Sequence, residues 1–313
     1  MPNKISVLLP VFNEELNIEP IYSAIKSVFD ALPETSYEII FADDGSTDHT
    51  MAAIKKIVQQ DSCVFYVSFS RNFGKDNALM AGLQYSTGDA LITMDADLQH
   101  PPEMIPELIE CWINGFEVVY TFREDKNQHA GFFSQITSKL FYKTVNRLSD
   151  VNLENGIADY RLMDRKVINS LLQMNENNPF FRGLLKWAGF KQKGIPYKPG
   201  ARKSGDTKYS TSKLVSLATQ GITSFSTKPL EFAIYLGFVF SFLSILYIPY
   251  VFYSFFSGVS ISGWASTIVT IAFFCGLQLM ILGIIGLYLG KVFMQVKQRP
   301  QFIISETNIA TKK

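Results

Sequence analysis

A short apolar run, Ala90–Met94, leads into Asp95-Ala96-Asp97-Leu98-Gln99. Two carboxylates so spaced at the end of a strand suit a hard divalent cation. Magnesium or manganese takes oxygen ligands and shares them with substrate phosphates. A cation held there against a diphosphate would offset the charge that builds on a departing nucleotide. An Asp-x-Asp alone is common in loops and can simply cap the helix expected near Pro102. The continuation Leu-Gln-x-Pro makes the signal far more specific.

A second acidic group, Asp43-Asp44-Gly45-Ser46-Thr47-Asp48, follows another apolar run. Asp and Gly supply a sharp turn, and Ser46 or Thr47 can cap the next helix. Capping accounts for Ser46 through Asp48 but not for two acids at the strand end. There a carboxylate can accept hydrogen bonds from a nucleobase edge or ribose hydroxyls. A third group, Pro10-Val11-Phe12-Asn13-Glu14, places a ring that can stack on a base beside an acid that can take a ribose hydroxyl. Asn13 reads equally well as a helix cap. Further along, Arg202, Lys203 and Lys208 surround Gly205. A flexible basic loop of this kind can clamp a phosphate and close over a ligand, or be a solvated linker. Arg71 and Lys75 are harder to place, and Lys75 at a helix start reads equally well as an exposed residue.

These groups need a scaffold. Ile5–Val11, Glu38–Ala42, Val64–Ser68 and Ala90–Met94 read as strands, with helical stretches near 17–30, 48–60 and 75–86 between them. Alternating strands and helices imply a largely parallel sheet covered on both faces, with ligands at the carboxyl ends of the strands. Residues 131–148 carry an apolar arc beside a stripe of Lys139, Lys143 and Arg147. That pattern fits a helix lying on anionic lipid or one packed on the core with a solvated basic edge. Residues 212–226 form a cleaner amphipathic helix. The expected layout is a domain over 1–211, an interfacial helix over 212–228, two membrane helices within 229–296 and a cytoplasmic tail over 297–313.

Composition breaks sharply near Lys228, after which charge almost vanishes. Phe232–Phe256 and Ser266–Gly290 are each 25 residues without a charge. Such a helix spans roughly 37 Å at about 1.5 Å per residue, enough to cross a hydrocarbon core of about 30 Å. The loop 257–265 lacks Lys and Arg, whereas Lys228, Lys291, Lys297 and Arg299 flank the pair. Both termini are therefore expected in the cytoplasm. Gly283, Gly286 and Gly290 mark a face for helix packing, hence an expected homo-oligomer.

The 313 residues carry a formal net charge of +1, which argues against nucleic acid as a partner. Cys63, Cys111 and Cys275 lack metal-ligand spacing and fit a reducing compartment. The three histidines are equally scattered. No signal-like segment precedes the first strand.

Taken in order, Pro-Val-Phe-Asn-Glu, Asp-Asp-Gly-Ser-x-Asp, Arg71-Asn-Phe-Gly-Lys75, Asp-Ala-Asp-Leu-Gln and Asp159-Tyr-Arg-Leu-Met163 resemble glycosyltransferase family 2. Within it, the chain is similar to the polyprenyl-phosphate branch, which includes dolichol-phosphate mannose synthases and bactoprenol glucosyltransferases. The resemblance runs from residue 5 to about 303, hairpin included. It implies a GT-A, Rossmann-like α/β domain and an inverting transfer of a hexose from a nucleotide sugar to a polyprenyl phosphate at the cytoplasmic membrane face. UDP-glucose is the leading donor, with N-acetylglucosamine, mannose and aminoarabinose open. It also implies Pro10, Phe12, Glu14 and Asp44 at the nucleotide and Asp95 facing the donor, with Asp43 and Ala96 counted in that set. Asp97 and Gln99 would hold Mg2+ or Mn2+, and Asp159 is the acid assigned to the active site. Arg202 and Lys208 match an Arg-x-x-Gly-x-x-Lys pattern on phosphates, and Lys203 and Arg123 join that acceptor and diphosphate set. His100 departs from the family, where many relatives carry Asp, and a small effect is expected because it would begin the next helix.

Two rivals remain. A processive polysaccharide synthase shares the early motifs but usually carries Gln-x-x-Arg-Trp, where this chain has Arg182-Gly-Leu-Leu-Lys-Trp187. A membrane scaffold or sugar-nucleotide sensor would not need Asp95, Asp97 and Gln99 together.

Overall fold

The computed structural model describes residues 4–124, 157–177, 179–198, 223–257 and 263–310. Eight strands form one sheet: β1 (Lys4–Val11), β2 (Ser36–Asp43), β3 (Val64–Phe69), β4 (Ala90–Thr93), β5 (Val118–Arg123), β6 (Ile157–Asp164), β7 (Gln192–Tyr197) and β8 (Ile304–Thr307). Their order is β7-β5-β6-β4-β1-β2-β3-β8. The first four are mutually parallel, as their apolar runs and intervening helices require. Strand β6 runs antiparallel to both β4 and β5, and β8 antiparallel to β3.

Four helices follow early strands: α1 (Ile18–Asp30), α2 (Thr50–Val58), α3 (Lys75–Tyr85) and α4 (Ile105–Ile113). Two more, α5 (Arg165–Leu172) and α6 (Phe181–Trp187), lie between β6 and β7. Successive residues of β1 point to opposite faces. Ile5, Val7, Leu9 and Val11 join a core under α1, α2 and α4, while Leu8 joins a second core under α3, α5 and α6.

Because β1 is central, β2 leaves on one side of it and β4 returns on the other. The carboxyl ends of β1 and β4 thus flank the point where strand order reverses, where an open α/β sheet leaves a crevice.

At the opposite end of the sheet, Glu38 ties three segments together. Its buried carboxylate accepts from Lys4 Nζ (2.5 Å), Ser6 Oγ (2.6 Å), and the Thr87 amide and hydroxyl (both 2.7 Å). Burial alone would raise its pKa, but the Lys4 ammonium and the other donors outweigh burial and hold it below the usual range. The Glu38 contribution to stability is therefore fully present above the unfolded carboxyl value and is lost as pH falls through the lower folded value. Glu38→Gln is expected to cost about 2 kcal/mol at neutral pH, since buried donors lose a charged acceptor. Thermal midpoints of the two proteins should differ by a constant gap above the unfolded carboxyl value of 4.5 and converge as pH falls below it, and a gap that persists down to about pH 2 would contradict the linkage.

The charge-poor region forms α7 (Lys228–Phe256) and α8 (Trp264–Val296), each extending beyond the limits expected from charge alone. Lys291 at the end of α8 does not stop the helix, because Lys and Met are good helix formers. Both are long and apolar enough to cross a membrane, and almost none of their surface is covered by the rest of the chain. Phe238 and Leu279 are 71% and 69% exposed. Gly276, Gly283, Gly286 and Gly290 of α8 have nothing within 4 Å of an added methyl.

The last turns of α8 dock on the domain. Tyr288 donates its hydroxyl to the Ser226 carbonyl (2.7 Å), Lys291 donates to Ser224 Oγ (2.9 Å), and the Asn177 amide donates to Gln295 Oε1 (2.9 Å). Residues 297–313, expected as a tail, instead include β8 on the sheet edge. Phe302 stacks on Phe69 (4.9 Å), Lys55 pairs with Glu306 (2.7 Å), and Tyr66 donates its hydroxyl to Glu306 (2.8 Å). The β-branched Ile303-Ile304 after Pro300 covers an edge that β3 would otherwise leave unpaired.

Candidate active site

A cavity of about 230 Å³ opens at this reversal point, lined by Pro10, Val11, Phe12, Glu14, Asp44, Lys75, Ala78, Asp95, Ala96 and Asp97. The first three acidic groups of the sequence thus converge from the ends of β1, β2 and β4. Phe12 is 43% exposed, which leaves its ring available for stacking.

The first two loops are laced together. Asn13 adopts a left-handed backbone (φ 56°), its N–H donating to Ser46 Oγ (2.9 Å) while its side chain accepts from the Thr47 amide (2.8 Å). Asn13 is therefore a brace between loops and not a helix cap. The Glu14 amide donates to Thr50 Oγ1 (2.8 Å), and Asn17 Nδ2 donates to the Glu14 carboxylate (2.5 Å).

The two acids at the end of β2 part company. Asp43, expected in the nucleotide set, lies outside the cavity lining. It is buried and accepts from Ser68 Oγ (2.7 Å) and the Ser46 amide (3.1 Å), so its carboxylate shapes the loop. Asp44 lines the cavity and also accepts the amides of Phe73 (2.6 Å) and Gly74 (2.9 Å), fixing the turn that launches α3.

That turn carries Lys75 to the cavity wall, where its side chain stays partly exposed as expected. Its ammonium bridges Asp95 (2.5 Å) and Asp159 (3.0 Å). Burial would lower its pKa, but Asp159 and Asp95 together raise it above the ordinary lysine value. Asp159 reaches this point because β6 is antiparallel. Arg161 pairs with Thr93 across the ladder, so the start of β6 lies beside the end of β4, and Thr93 donates its hydroxyl to the Asp159 carbonyl (2.6 Å). Arg182, from the first turn of α6, grips the same carboxylate with two bonds, Nε to Oδ1 (2.7 Å) and Nη2 to Oδ2 (2.8 Å). Arg161 adds a third cation at 3.4 Å. Burial alone would raise the Asp159 pKa, but Lys75, Arg182 and Arg161 reverse that and hold it well below the carboxylate range.

The Asp-x-Asp loop has its own supports. Leu98 is left-handed (φ 61°), a sparsely populated conformation for a branched apolar residue. Asp97 accepts the Gln99 amide (3.1 Å), and the Gln99 side-chain oxygen accepts from Arg123 Nη2 (3.0 Å). Arg123, at the end of β5, thus reaches the loop that carries the two acids. His100 does not begin the next helix. It is buried two residues ahead of the turn Pro102–Met104 and accepts the Asp95 amide at Nδ1 (2.9 Å). Its ring stacks on Tyr160 (5.2 Å between centroids). Burial pushes its pKa down, and accepting at Nδ1 fits the neutral ring.

Lys75 and Arg182 carry more of this site than their sequence context suggests. Arg202, Lys203 and Lys208 lie outside the described residues, as do 131–148 and most of 212–226. Among the described residues no three His, Cys, Asp or Glu side chains converge as a preformed metal cage.

A sheet with acids at its reversal point and a cationic cluster beside them defines a group-transfer enzyme of the GT-A class. Residues 6–172 match the family model for glycosyl transferase family 2, and the chain belongs to that family and is a glycosyltransferase. It is 41% identical to the glycosyltransferase YkcC of Bacillus subtilis (strain 168) over 303 residues, covering 96% of this chain and 93% of the relative. It is 40% identical to the prophage bactoprenol glucosyl transferase homolog of Escherichia coli (strain K12) over 302 residues, covering 96% and 98%. The bactoprenol glucosyl transferase of Shigella phage SfII is 39% identical over 306 residues, covering 97% and 98%. Among solved structures, the mannosyltransferase PcManGT from Pyrobaculum calidifontis, in complex with GDP-Man and Mn2+, shares the fold. Its TM-score is 0.50 at 12% identity, with 95% of this chain and 87% of that one covered.

Proposed function

We propose that this glycosyltransferase moves a hexose from a nucleotide sugar, UDP-glucose first among candidates, onto undecaprenyl phosphate at the cytoplasmic face of a membrane. The observation that carries the reading is the cavity at the strand reversal, where Asp95 and Asp97 meet Phe12, Glu14 and Asp44 on a body whose two apolar helices stand uncovered. The bactoprenol glucosyl transferases among its relatives support the same acceptor class. In this reading α7 and α8 span the bilayer with both ends on the side of the domain, consistent with the docking of α8 on residues 175–177 and 224–226. The open glycine face of α8 supports a homo-oligomer through the membrane helices.

Phe12 would stack on the base, Glu14 and Asp44 would take base or ribose groups, and Asp95 with Ala96 would face the sugar. The donor set for Mg2+ or Mn2+ fits: two carboxylates on one cavity wall leave room for substrate phosphates to complete a hard-oxygen shell. Asp97 would hold the ion, and Gln99 would join once its oxygen leaves Arg123. A bound ion would stabilise charge on the departing diphosphate. Arg123, Arg202, Lys203 and Lys208 are proposed for the diphosphate and acceptor.

The chemistry is a single displacement at the anomeric carbon with inversion. An acceptor phosphate has a second pKa near 6, so it is mostly dianionic at neutral pH and needs little deprotonation. Asp159, held ionised by three cations, therefore positions groups and does not remove a tight proton. The site's task is to align two anions that repel.

A panel of labelled nucleotide sugars with undecaprenyl phosphate and Mn2+ tests the reading. Formation of a lipid-linked sugar with release of free nucleotide supports it, and the donor that works names the sugar. Nucleotide bound without turnover on any polyprenyl phosphate would refute it in favour of a sensor.

A further inference from the structure

We infer that His100 is a positioning residue: its ring closes the loop that carries Asp95 and Asp97 and fixes where both carboxylates meet a nucleotide-bound cation. The inference rests on the transfer reaction proposed above and adds to it a side chain that lies outside the cavity lining.

Loop closure is the first argument. The ladder between β4 and β6 ends at Thr93 and Arg161. The Met94 amide still reaches the Leu8 carbonyl of β1 (3.1 Å), but the Asp95 amide has passed the end of the β6 ladder. His100 Nδ1 accepts it instead (2.9 Å). A backbone amide only donates, so Nδ1 is the unprotonated nitrogen of the ring. The stretch closed by this bond holds both acids. Within it Asp97 accepts the Gln99 amide (3.1 Å) and Leu98 is left-handed (φ 61°). A sparsely populated backbone persists where its surroundings over-determine it, and the His100 bond closes the whole stretch around Leu98.

Anchorage is the second. His100 is 3% exposed, its ring stacked on Tyr160 (5.2 Å between centroids) and edge-on to Tyr197 (5.8 Å). Tyr160 donates its hydroxyl to the Pro101 carbonyl (2.9 Å), which fastens the residue after His100 to β6. Tyr160 is the neighbour of Asp159, so the same brace ties the Asp95–Asp97 loop to the strand that bears Asp159. On the cavity side Lys75 spans that gap, 2.5 Å from Asp95 and 3.0 Å from Asp159.

The third argument separates positioning from filling. An apolar ring could occupy the space between two tyrosines, but it could not accept the Asp95 amide. Residues that orient the ligands of a metal typically change affinity or activity by about 10–100-fold when lost, and a shift of about 1 Å at a reacting centre costs a similar factor.

The test uses the full-length protein in mixed lipid–detergent micelles with UDP-glucose, Mn2+ and undecaprenyl phosphate, and it separates ring from acceptor. His100→Phe keeps a flat ring and loses the acceptor. His100→Asn loses the ring and keeps an acceptor oxygen at the reach of Nδ1. His100→Phe is expected to lower kcat by about tenfold to a hundredfold and to weaken UDP binding with Mn2+, measured by calorimetry, by about tenfold. Its KM for undecaprenyl phosphate should stay within about twofold of the wild type. His100→Asn should keep kcat within about threefold of the wild type, although the lost stacking lowers its thermal midpoint. His100→Leu is a second acceptor-free variant should His100→Phe fail to fold, as its thermal midpoint would report. Wild-type turnover in the Phe or Leu variant would overturn the inference. So would an Asn variant that loses as much turnover as Phe, which would make His100 a packing residue, or a raised lipid KM with UDP affinity intact. A wild type inactive on any polyprenyl phosphate would bring down the transfer reaction itself, a result distinguishable from an active wild type whose variants show one of these patterns.

Discussion

Asp97→Ala is expected to reduce sugar transfer by at least about 10³-fold while the protein still folds and binds membranes, because several kcal/mol of charge stabilisation at the leaving diphosphate depend on the bound cation. The side chain also accepts the Gln99 amide, so alanine loosens the loop as well as removing a ligand. Asp97→Asn separates the two effects, since an amide oxygen keeps the loop bond and loses the charge. Both variants should fail to bind Mn2+ in the presence of UDP, measured by electron paramagnetic resonance. Turnover within about tenfold of the wild type in Asp97→Asn would remove Asp97 from the cation site.

Gly45→Ala should damage both stability and donor binding. Gly45 has φ of 72°, and an added methyl would lie 2.5 Å from the Arg71 carbonyl carbon and 2.9 Å from its Cα. The left-handed backbone costs an L-residue roughly 1–2 kcal/mol. Forcing backbone apart adds about 1–3 kcal/mol. Arg71 cannot retreat freely, because two residues on, the Phe73 and Gly74 amides are held by Asp44, and the next residue is Lys75. The expected loss of about 2–5 kcal/mol would lower the thermal midpoint by roughly 5–10 °C and weaken UDP binding. Gly74→Ala is the informative comparison. Its φ of 101° is strained for alanine, but nothing lies within 4 Å of the added methyl, so its effect should be smaller. Equal losses at the two positions would show that contact with Arg71 is not the cause.

The four parallel strands were legible because each is a short apolar run ended by polar turn residues, and periodicity places such runs within a residue or two. The acids at their ends were legible for the same reason, since the reversal rule brings strand ends together whatever the loops do. What local pattern does not encode is pairing across distance. Lys75 meets Asp159 across 84 residues, and Arg182 meets it across 23, through an antiparallel β6. A hint existed in Phe181-Arg182-Gly183-Leu184, where one arginine interrupts an otherwise buried stretch. An arginine set into a buried stretch calls for a paired anion nearby. Asp43 lies off the cavity because its carboxylate is taken up by Ser68 and the Ser46 amide, a pairing that two adjacent acids at a strand end do not reveal. The last strand was missed because Phe302 through Ile304 is too short a run to stand out after a long apolar helix. The basic loop 202–208 and the amphipathic stretches lie outside the described residues, so those readings stand as proposals.

The return of the chain through β8 bears on how the enzyme can meet a lipid. The helical pair leaves the domain after Ser226 and comes back into the same sheet at Ile304, with Tyr288, Lys291 and Gln295 fastened to the domain on the way. An anchor moored at two points resists the swivel that a single tether would permit. In a bilayer, the crevice would then ride at one height and one tilt above the headgroups, and reach would have to come from the lipid or from the loops around it.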